Sequence, residues 1–276
     1  MGRLRSEIYI AIARKDDLKN MEINLPLISP LSRKYYLYAG ETQEKIHHRA
    51  GDVRQCLRYV CDHMVIQFVS SATKNKWKKL DLHDKIKASE EFMDISIVNK
   101  VLSAKAVGNK GAHEGEEGLY TVQDIENSLE AIKEFSLELF YSYFVKNGFG
   151  NFTNGSWVPT VFSTLPPIYR VEILNKYYQT NKSPFVIDKL SKAYLKSSMK
   201  KEGIDFLKDC LEKKEINEDQ FMILRYDLDL LEKSFEKLGV ADNLEKAKDN
   251  FNRLLPAIKE EDRDVFVCLV SMILNG

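Results

Sequence analysis

Four side chains with different chemistries lie within one short segment of the sequence, between Ala104 and Gly115. They are a cation, an amide, an imidazole and a carboxylate: Lys105, Asn109, His113 and Glu114. Imidazole titrates near neutral pH, so His113 is the candidate general acid or base. Lysine and asparagine donate hydrogen bonds, so Lys105 and Asn109 are candidates to stabilise a charged phosphorane. These residue types fit metal-independent cleavage of RNA, in which the 2′-hydroxyl attacks the adjacent phosphate.

The same segment also has a purely structural interpretation. Four glycines between positions 108 and 118 predict a tight polar turn between two helices. In this interpretation Asn109 occupies a left-handed turn, and His113 bonds to a neighbouring backbone carbonyl. The turn would precede a helix that starts near Thr121, and the N-terminus of a helix favours anions. Residue types and spacing leave both interpretations open.

A second group of candidate binding residues follows the first long helical pattern. It consists of four lysines around one tryptophan: Lys74, Lys76, Trp77, Lys78 and Lys79. Lysines neutralise a phosphate backbone and an aromatic ring stacks on a base, so this composition fits a nucleic-acid-binding surface. The alternative is a solvated loop held in place by one anchored tryptophan.

Composition limits the classes to which the protein can belong. With 276 residues, 44% hydrophobic and 30% charged, the chain can bury a core and form one or two domains. Its 41 basic and 41 acidic residues give a formal net charge of zero, so a nucleic-acid partner would have to be held by local patches. Because the sequence has no P-loop, no His-Glu-x-x-His and no dinucleotide fingerprint, we predict neither a cofactor nor a metal.

Cysteine usage and hydropathy bear on the cellular compartment. The four cysteines, at positions 56, 61, 210 and 268, have neither a zinc-ligand spacing nor that of a disulfide framework. We expect buried thiols in a reducing environment. The first residues show no secretory signal pattern, and no run approaches the roughly 18 apolar residues of a membrane helix. These features predict a cytoplasmic protein with no membrane partner.

Helical periodicity predicts the elements that position the candidate residues. Apolar residues recur at helical spacing in four segments: 41–71, 80–92, 95–106 and 121–146. Thr42 is the expected cap of the first segment, and Thr121 with Asp124 forms a capping-box-like start of the last. Short polar connections between the segments favour an antiparallel bundle. The predicted fold class is therefore all-α.

The chain outside the 41–146 bundle divides into three parts. Residues 1–40 form an N-terminal arm, which either packs on the bundle or binds a partner. The stretch 147–156, rich in glycine and asparagine, is the predicted linker and domain boundary. Residues 157–276 show successive helical patterns, which predict a C-terminal layer of helical hairpins. That layer either offers a concave face to a partner or has no ligand of its own.

Three groups of residues in the region 41–146 form a recognisable pattern: Arg54, Leu57, Arg58 and Cys61; Leu82-His83-Asp84-Lys85-Ile86; and Gly108-Asn109-x-x-Ala112-His113. Through these residues the region resembles the HEPN superfamily of prokaryotic helical bundles. The branch that it resembles most is a domain of unknown function, found alone and fused to restriction enzymes. Its usual motif is Arg-x-x-Gly-Asn-x-x-Ala-His, and Lys105 stands where that arginine is expected.

The resemblance implies a bundle that commonly dimerises and a role in phage defence, toxin–antitoxin pairs or RNA metabolism. In active relatives, motifs from two protomers build one metal-independent ribonuclease site. Lys105 keeps the positive charge but lacks the planar, bidentate grip of a guanidinium on phosphate. Our preferred hypothesis is therefore an interaction and dimerisation protein that belongs to a defence or RNA-linked assembly. Such a protein would act by binding a protein partner or a nucleic acid. The alternative is a ribonuclease, a toxin or abortive-infection effector, that uses His113.

Overall fold

The computed structural model describes residues 25–111, 120–147 and 157–276. Within these ranges the chain is helical and contains no β-strand, so the predicted all-α class is confirmed. The candidate acid or base, His113, lies outside the described residues. So does most of the predicted linker, 148–156, and the arm is described only from Leu25 onward.

The described residues from 30 to 147 form six helices of six residues or more. They are α1 Pro30–Gly40, α2 Ile46–Val60, α3 Ser71–Lys76, α4 Leu82–Lys87, α5 Ile95–Lys110 and α6 Val122–Asn147. Helix α2 packs against both α1 and α5, and α5 packs along α6. The arm therefore packs on the bundle through α1, as one of the two sequence interpretations predicts.

Seven helices follow the predicted linker. They are α7 Val158–Phe162, α8 Pro167–Thr180, α9 Pro184–Lys196, α10 Lys200–Glu212, α11 Glu218–Lys233, α12 Leu244–Leu254 and α13 Val265–Asn275. From α8 to α11, each helix packs on the next one in the chain, as in stacked hairpins. Asn217 and Gln220 close a capping box at the start of α11, which fixes where that helix begins.

The buried side chains form one continuous hydrophobic cluster on both sides of the predicted linker. Phe144 near the end of α6 is its centre, with ring centroids 5.3 Å from Phe162 and 5.7 Å from Phe266. The Tyr143 hydroxyl donates to Asp264, 2.7 Å away, and Asp264 caps α13. The C-terminal helix thereby packs back against the first half of the chain.

The first bundle helix differs from its prediction at both ends. Thr42 does not cap it, because residues 41–45 lie in a turn and α2 begins at Ile46. After Val60 the helix widens into a π turn, Cys61–Val65, before a last short turn that ends at Phe68. Such π turns interrupt regular helices and are frequent at functional sites.

The capping box predicted for α6 is present: the Thr121 N–H donates to Asp124 at 2.7 Å, and the Asp124 N–H donates to the Thr121 hydroxyl at 3.3 Å.

The glycine-rich segment is also different from its prediction, because α5 runs through it to Lys110. A Cβ on Gly108 would lie 2.8 Å from the Cβ of Arg54, and one on Gly111 would lie 2.4 Å from the Cβ of Ala50. These glycines let α5 approach α2 closely, instead of forming a tight turn. The left-handed turn predicted at Asn109 is likewise wrong, since Asn109 is helical.

The buried-thiol prediction holds for three cysteines and is wrong for one. Cys56, Cys61 and Cys210 are buried, whereas Cys268 is exposed. Cys268 lies on the outer side of α13, between pairs of buried apolar neighbours on the same helix. The apolar surroundings of Cys56 and Cys61 raise the pKa of each thiol, which makes both unreactive.

Candidate functional site

A surface groove of about 340 Å³ lies between α2 and the segment that leads into α4. We call it the cationic groove. Eight residues line it: Arg54, Gln55, Arg58, Lys78, Leu80, Asp81, Leu82 and Lys85. Arg54 and Arg58 are one helical turn apart on α2, so both side chains point to the same side of that helix. The groove therefore joins residues that are well separated in the sequence.

Asn109 connects the glycine-rich segment to this groove. Its Oδ1 accepts a hydrogen bond of 2.9 Å from Nε of Arg54. The contact depends on Gly108, which precedes Asn109 and allows the backbones of α5 and α2 to approach. A guanidinium thus lies beside Asn109, although the motif position before it holds Lys105.

The negative charge at the groove edge is confined to one exposed carboxylate, Asp81. Asp81 caps α4 by accepting from the Asp84 N–H at 2.9 Å, and this hydrogen bond is the main cause of its lowered pKa. The charge of Lys105 on α5 lowers the same pKa further. Asp81 is thus ionised at neutral pH and partly offsets the cations around it.

Lys85 is the groove lysine that is already neutralised. Its Nζ lies 2.6 Å from Oδ1 of Asp62, which the π turn at the end of α2 carries. The indole N–H of Trp77 donates to the same Asp62 oxygen at 2.9 Å. Arg54, Arg58 and Lys78 remain, against the single Asp81, so the groove has a net positive charge.

The five predicted nucleic-acid-binding residues take different positions. Lys78 lines the cationic groove, whereas Lys74, Lys76 and Lys79 are exposed but are absent from its lining. Trp77 is 4% exposed, so its ring has no open face on which a base could stack. Its role in the fold is that of an anchor for the turn after α3.

The residues that sequence reasoning did not select as a site are Arg54 and Arg58. Arginines of an amphipathic helix are expected on the faces away from its apolar stripe, and Arg54 and Arg58 are exposed on α2 in this way. Arg49 is instead buried at 3% exposure and donates to the Ala39 carbonyl at 2.8 Å. The i, i+4 spacing of Arg54 and Arg58 was the available signal, but it does not reveal which lysines face them.

A second unusual surface lies on α11. Its inner face packs through Phe221, Leu224, Leu228 and Leu231. Its outer face is also apolar, with four exposed side chains: Met222 at 65%, Ile223 at 61%, Tyr226 at 63% and Leu230 at 43%. Contiguous exposed apolar surface is typical of a contact with another protein. The helix begins with Glu218 and Asp219 and ends with Lys233.

Comparison of the chain with protein-family models, with curated proteins and with solved structures gives no match. Within the described part of the chain, no three His, Cys, Asp or Glu side chains are grouped so that they could hold a metal ion. Among the helices of the described ranges, none is both long and apolar enough to cross a membrane. Inference about function therefore rests on the groove, on the exposed face of α11 and on the sequence motif.

Proposed function

We propose that this protein is a HEPN-like binding protein that holds RNA in the cationic groove, as part of a prokaryotic defence or RNA-linked assembly. The observation that carries the proposal is the excess of positive charge in the groove. Arg54, Arg58 and Lys78 are exposed and lie together, while the chain as a whole has no net charge. Such a local patch is what a phosphate backbone requires.

The shape of the groove favours a nucleic-acid strand over a compact ligand. Its two arginines and Lys78 are exposed to solvent, as are residues that contact successive phosphates of a strand. The guanidinium of Arg54 is held by Asn109 and is therefore oriented before an anion binds. Orientation in advance reduces the entropy lost on binding.

Fluorescence anisotropy with a labelled single-stranded RNA tests this proposal. Arg58→Gln combined with Lys78→Gln removes two groove charges without breaking a hydrogen bond of the described structure. We expect affinity to fall on the order of tenfold or more. Arg263→Gln with Lys248→Gln removes the same charge from exposed positions outside the groove and serves as the control. An equal loss of RNA affinity in both double variants would show that the overall charge of the protein, and not the groove, determines binding.

A second candidate function, metal-independent RNA cleavage, is supported by one contact. Arg54 donates to Asn109 and so brings a guanidinium to the motif in which Lys105 replaces arginine. In this proposal His113 exchanges the protons, and Arg54 and Lys105 stabilise the charged phosphate. Asn109 orients Arg54.

Incubation of RNA with the protein in EDTA separates cleavage from binding. The ribonuclease proposal expects fragments from the wild type and none from His113→Ala, with RNA affinity unchanged in the variant. Expression in cells with analysis of total RNA provides the same comparison in vivo. If the wild type binds RNA and leaves it intact, the binding proposal stands alone.

A homodimer through the helical bundle, which the family resemblance implies, stays a prediction, and the exposed apolar face of α11 is another surface for self-association. We propose that two copies pair through the face formed by Met222, Ile223, Tyr226 and Leu230. With the helices antiparallel, the acidic first turn of one α11 meets Lys233 of the other, so the charges are complementary. A two-fold contact of this kind is the commonest form of self-association.

Sedimentation velocity tests the self-contact. Ile223→Lys with Tyr226→Lys introduces two charges into the apolar face, and the wild-type dimer should become a monomer. Leu238→Lys is the matched control, because Leu238 is also exposed and apolar but lies beyond α11. A monomeric wild type, or equal dissociation in both variants, would contradict this placement.

A further inference from the structure

Arg170 in α8 is buried without a counter-charge. Its side chain is 6% exposed, and its Nε has no hydrogen-bond partner among the described residues. Burial alone lowers the pKa of this guanidinium to about 10. Removing an ion from water is unfavourable unless a partner compensates for the lost hydration. A buried cation that the described chain does not pair indicates a site whose anion comes from outside.

Arg49 is the matched comparison within the same protein. It is buried to a similar extent, at 3% exposure. Its Nε donates to the Ala39 carbonyl at 2.8 Å, near the end of α1, where helix carbonyls need donors. Arg49 therefore has a structural role that burial explains. Nothing equivalent accounts for Arg170.

Arg170 lines a pocket of about 60 Å³ between α7, α8 and α9, which we call the Arg170 pocket. Three lysines of α9 line it as well: Lys189, Lys192 and Lys196. Phe162 and Leu174 contribute apolar walls. A single water needs roughly 10–15 Å³ by this measure, so the pocket has room for a tetrahedral anion but not for a polymer.

The charges that face the pocket leave an excess of cations. Lys192 is paired, since its Nζ lies 2.5 Å from Asp188 on α9 and 3.4 Å from Asp227 on α11. No carboxylate belongs to the described lining of the pocket. Arg170, Lys189 and Lys196 therefore remain to face a bound anion.

Lys196 is affected by this crowding of positive charge. Burial, then the charge of Arg170, followed by those of Lys189 and Lys192, lowers its pKa to about 8, and Asp188 opposes this only in part. An anion in the pocket would favour the protonated lysine and raise that pKa. The geometry of the pocket and its charges thus both favour a negatively charged ligand.

We propose that the Arg170 pocket binds the phosphate group of a small molecule, either inorganic phosphate or the phosphate of a mononucleotide. Phosphate suits the site better than a single carboxylate does, because its two negative charges match the excess of cations. The planar guanidinium binds phosphate oxygens bidentately. The proposal is independent of RNA binding, since α7, α8 and α9 contribute no residue to the cationic groove.

Isothermal titration calorimetry with inorganic phosphate, adenosine 5′-monophosphate and adenosine tests the proposal on the full chain. We expect saturable binding of at least one phosphate compound and none of adenosine. Arg170→Met should weaken that binding on the order of tenfold or more, and Lys196→Met should weaken it in the same direction. Arg263→Met, an exposed arginine outside the pocket, is the control and should bind like the wild type.

The pattern across ligands identifies the source of the phosphate. Binding of inorganic phosphate assigns the site to phosphate itself, and binding of the mononucleotide alone assigns it to a nucleotide. The proposal is overturned if the wild type binds no phosphate compound. It is also overturned if both pocket variants bind as the wild type does, or if adenosine binds as well as its monophosphate. Lys196→Met decides the matter if Arg170→Met does not fold.

Discussion

Arg58 in the cationic groove is exposed to solvent, whereas Arg170 in its pocket is buried at 6% exposure. Water solvates the first guanidinium, so its presence costs the fold little. The second has lost its water and gained no partner within the described chain. Each site thus contains an arginine, but the guanidinium is hydrated in the groove and desolvated in the pocket.

This difference determines the kind of anion that each site fits. Exposed cations interact with an anion through water and salt, so the groove suits a long, repeating phosphate backbone at modest affinity per contact. A desolvated cation interacts more strongly, because the effective dielectric constant around it is low. The Arg170 pocket therefore suits one small group and can discriminate by size.

The largest expected effect concerns stability without ligand. Arg49→Met removes a hydrogen bond from a charged donor, and we expect the free energy of unfolding to fall by about 1.5–3 kcal/mol. Arg170→Met removes a buried cation without a partner, and should raise that free energy by about 1 kcal/mol or more. Urea unfolding in phosphate-free buffer measures both. If both variants are destabilised alike, Arg170 has a structural role and the contrast fails.

A somewhat smaller effect concerns the support of the groove. Gly108→Ala places a Cβ 2.8 Å from the Cβ of Arg54, so α5 and α2 must move apart, at a cost of about 1–3 kcal/mol. Gly51→Ala, on α2, meets nothing within 4 Å and should stabilise the protein by about 0.5–1 kcal/mol. Denaturant unfolding measures the pair. The opposite order of stability would show that the close approach of the two helices is not required.

Salt dependence of RNA binding separates the two cationic sites. For single strands, each phosphate contact contributes about 0.7 to the slope of log affinity against log salt. Arg58→Gln with Lys78→Gln should therefore reduce the slope by about 1.4. Arg170→Met should leave it unchanged, because the pocket is closed to a strand. A reduced slope in Arg170→Met would mean that RNA contacts both sites and that they form one binding surface.

A further expected effect is the pH dependence that Lys196 adds. Its pKa is lowered from 10.5 to about 8 in the folded protein, so between these values the unfolded chain binds more protons. The destabilisation by Lys196 is thus complete below pH 8 and is relieved as the pH rises toward 10.5. The free energy of unfolding of the wild type should rise across this window relative to Lys196→Met. Phosphate should raise the folded-state pKa of Lys196 and so narrow this window from its lower end. No difference between the two proteins would contradict the crowding of charge.

Much of the local structure could be predicted from sequence patterns. Ile125, Ile132 and Phe135 recur at helical spacing and are buried in α6, and Thr121 with Asp124 makes the predicted capping box. The start of α2 was predicted wrongly at Thr42, because a threonine at the right spacing does not ensure a helix cap. Gly108 and Gly111 were read as turn residues, because sequence cannot distinguish a glycine that bends the chain from one that admits a neighbouring helix.

The candidate sites were predicted only in part, for a related reason. Lys78, Lys105 and Asn109 could be selected by residue type and spacing. The contact of Asn109 with Arg54 depends on the approach of α5 to α2, which are distant in the sequence. His113 lies outside the described residues, so its place in the site stays a prediction.

By itself, the sequence determined that the chain is helical and where most of its helices lie, because the period of apolar residues acts over a few turns. It also showed that polar side chains of four different types are concentrated near the end of α5. Only the tertiary structure decided that Arg54 meets Asn109, that Trp77 is an anchor, and that Nε of the buried Arg170 has no partner among the described residues. Burial and charge pairing depend on which helices meet, and a local pattern contains no information about residues that are distant in the chain.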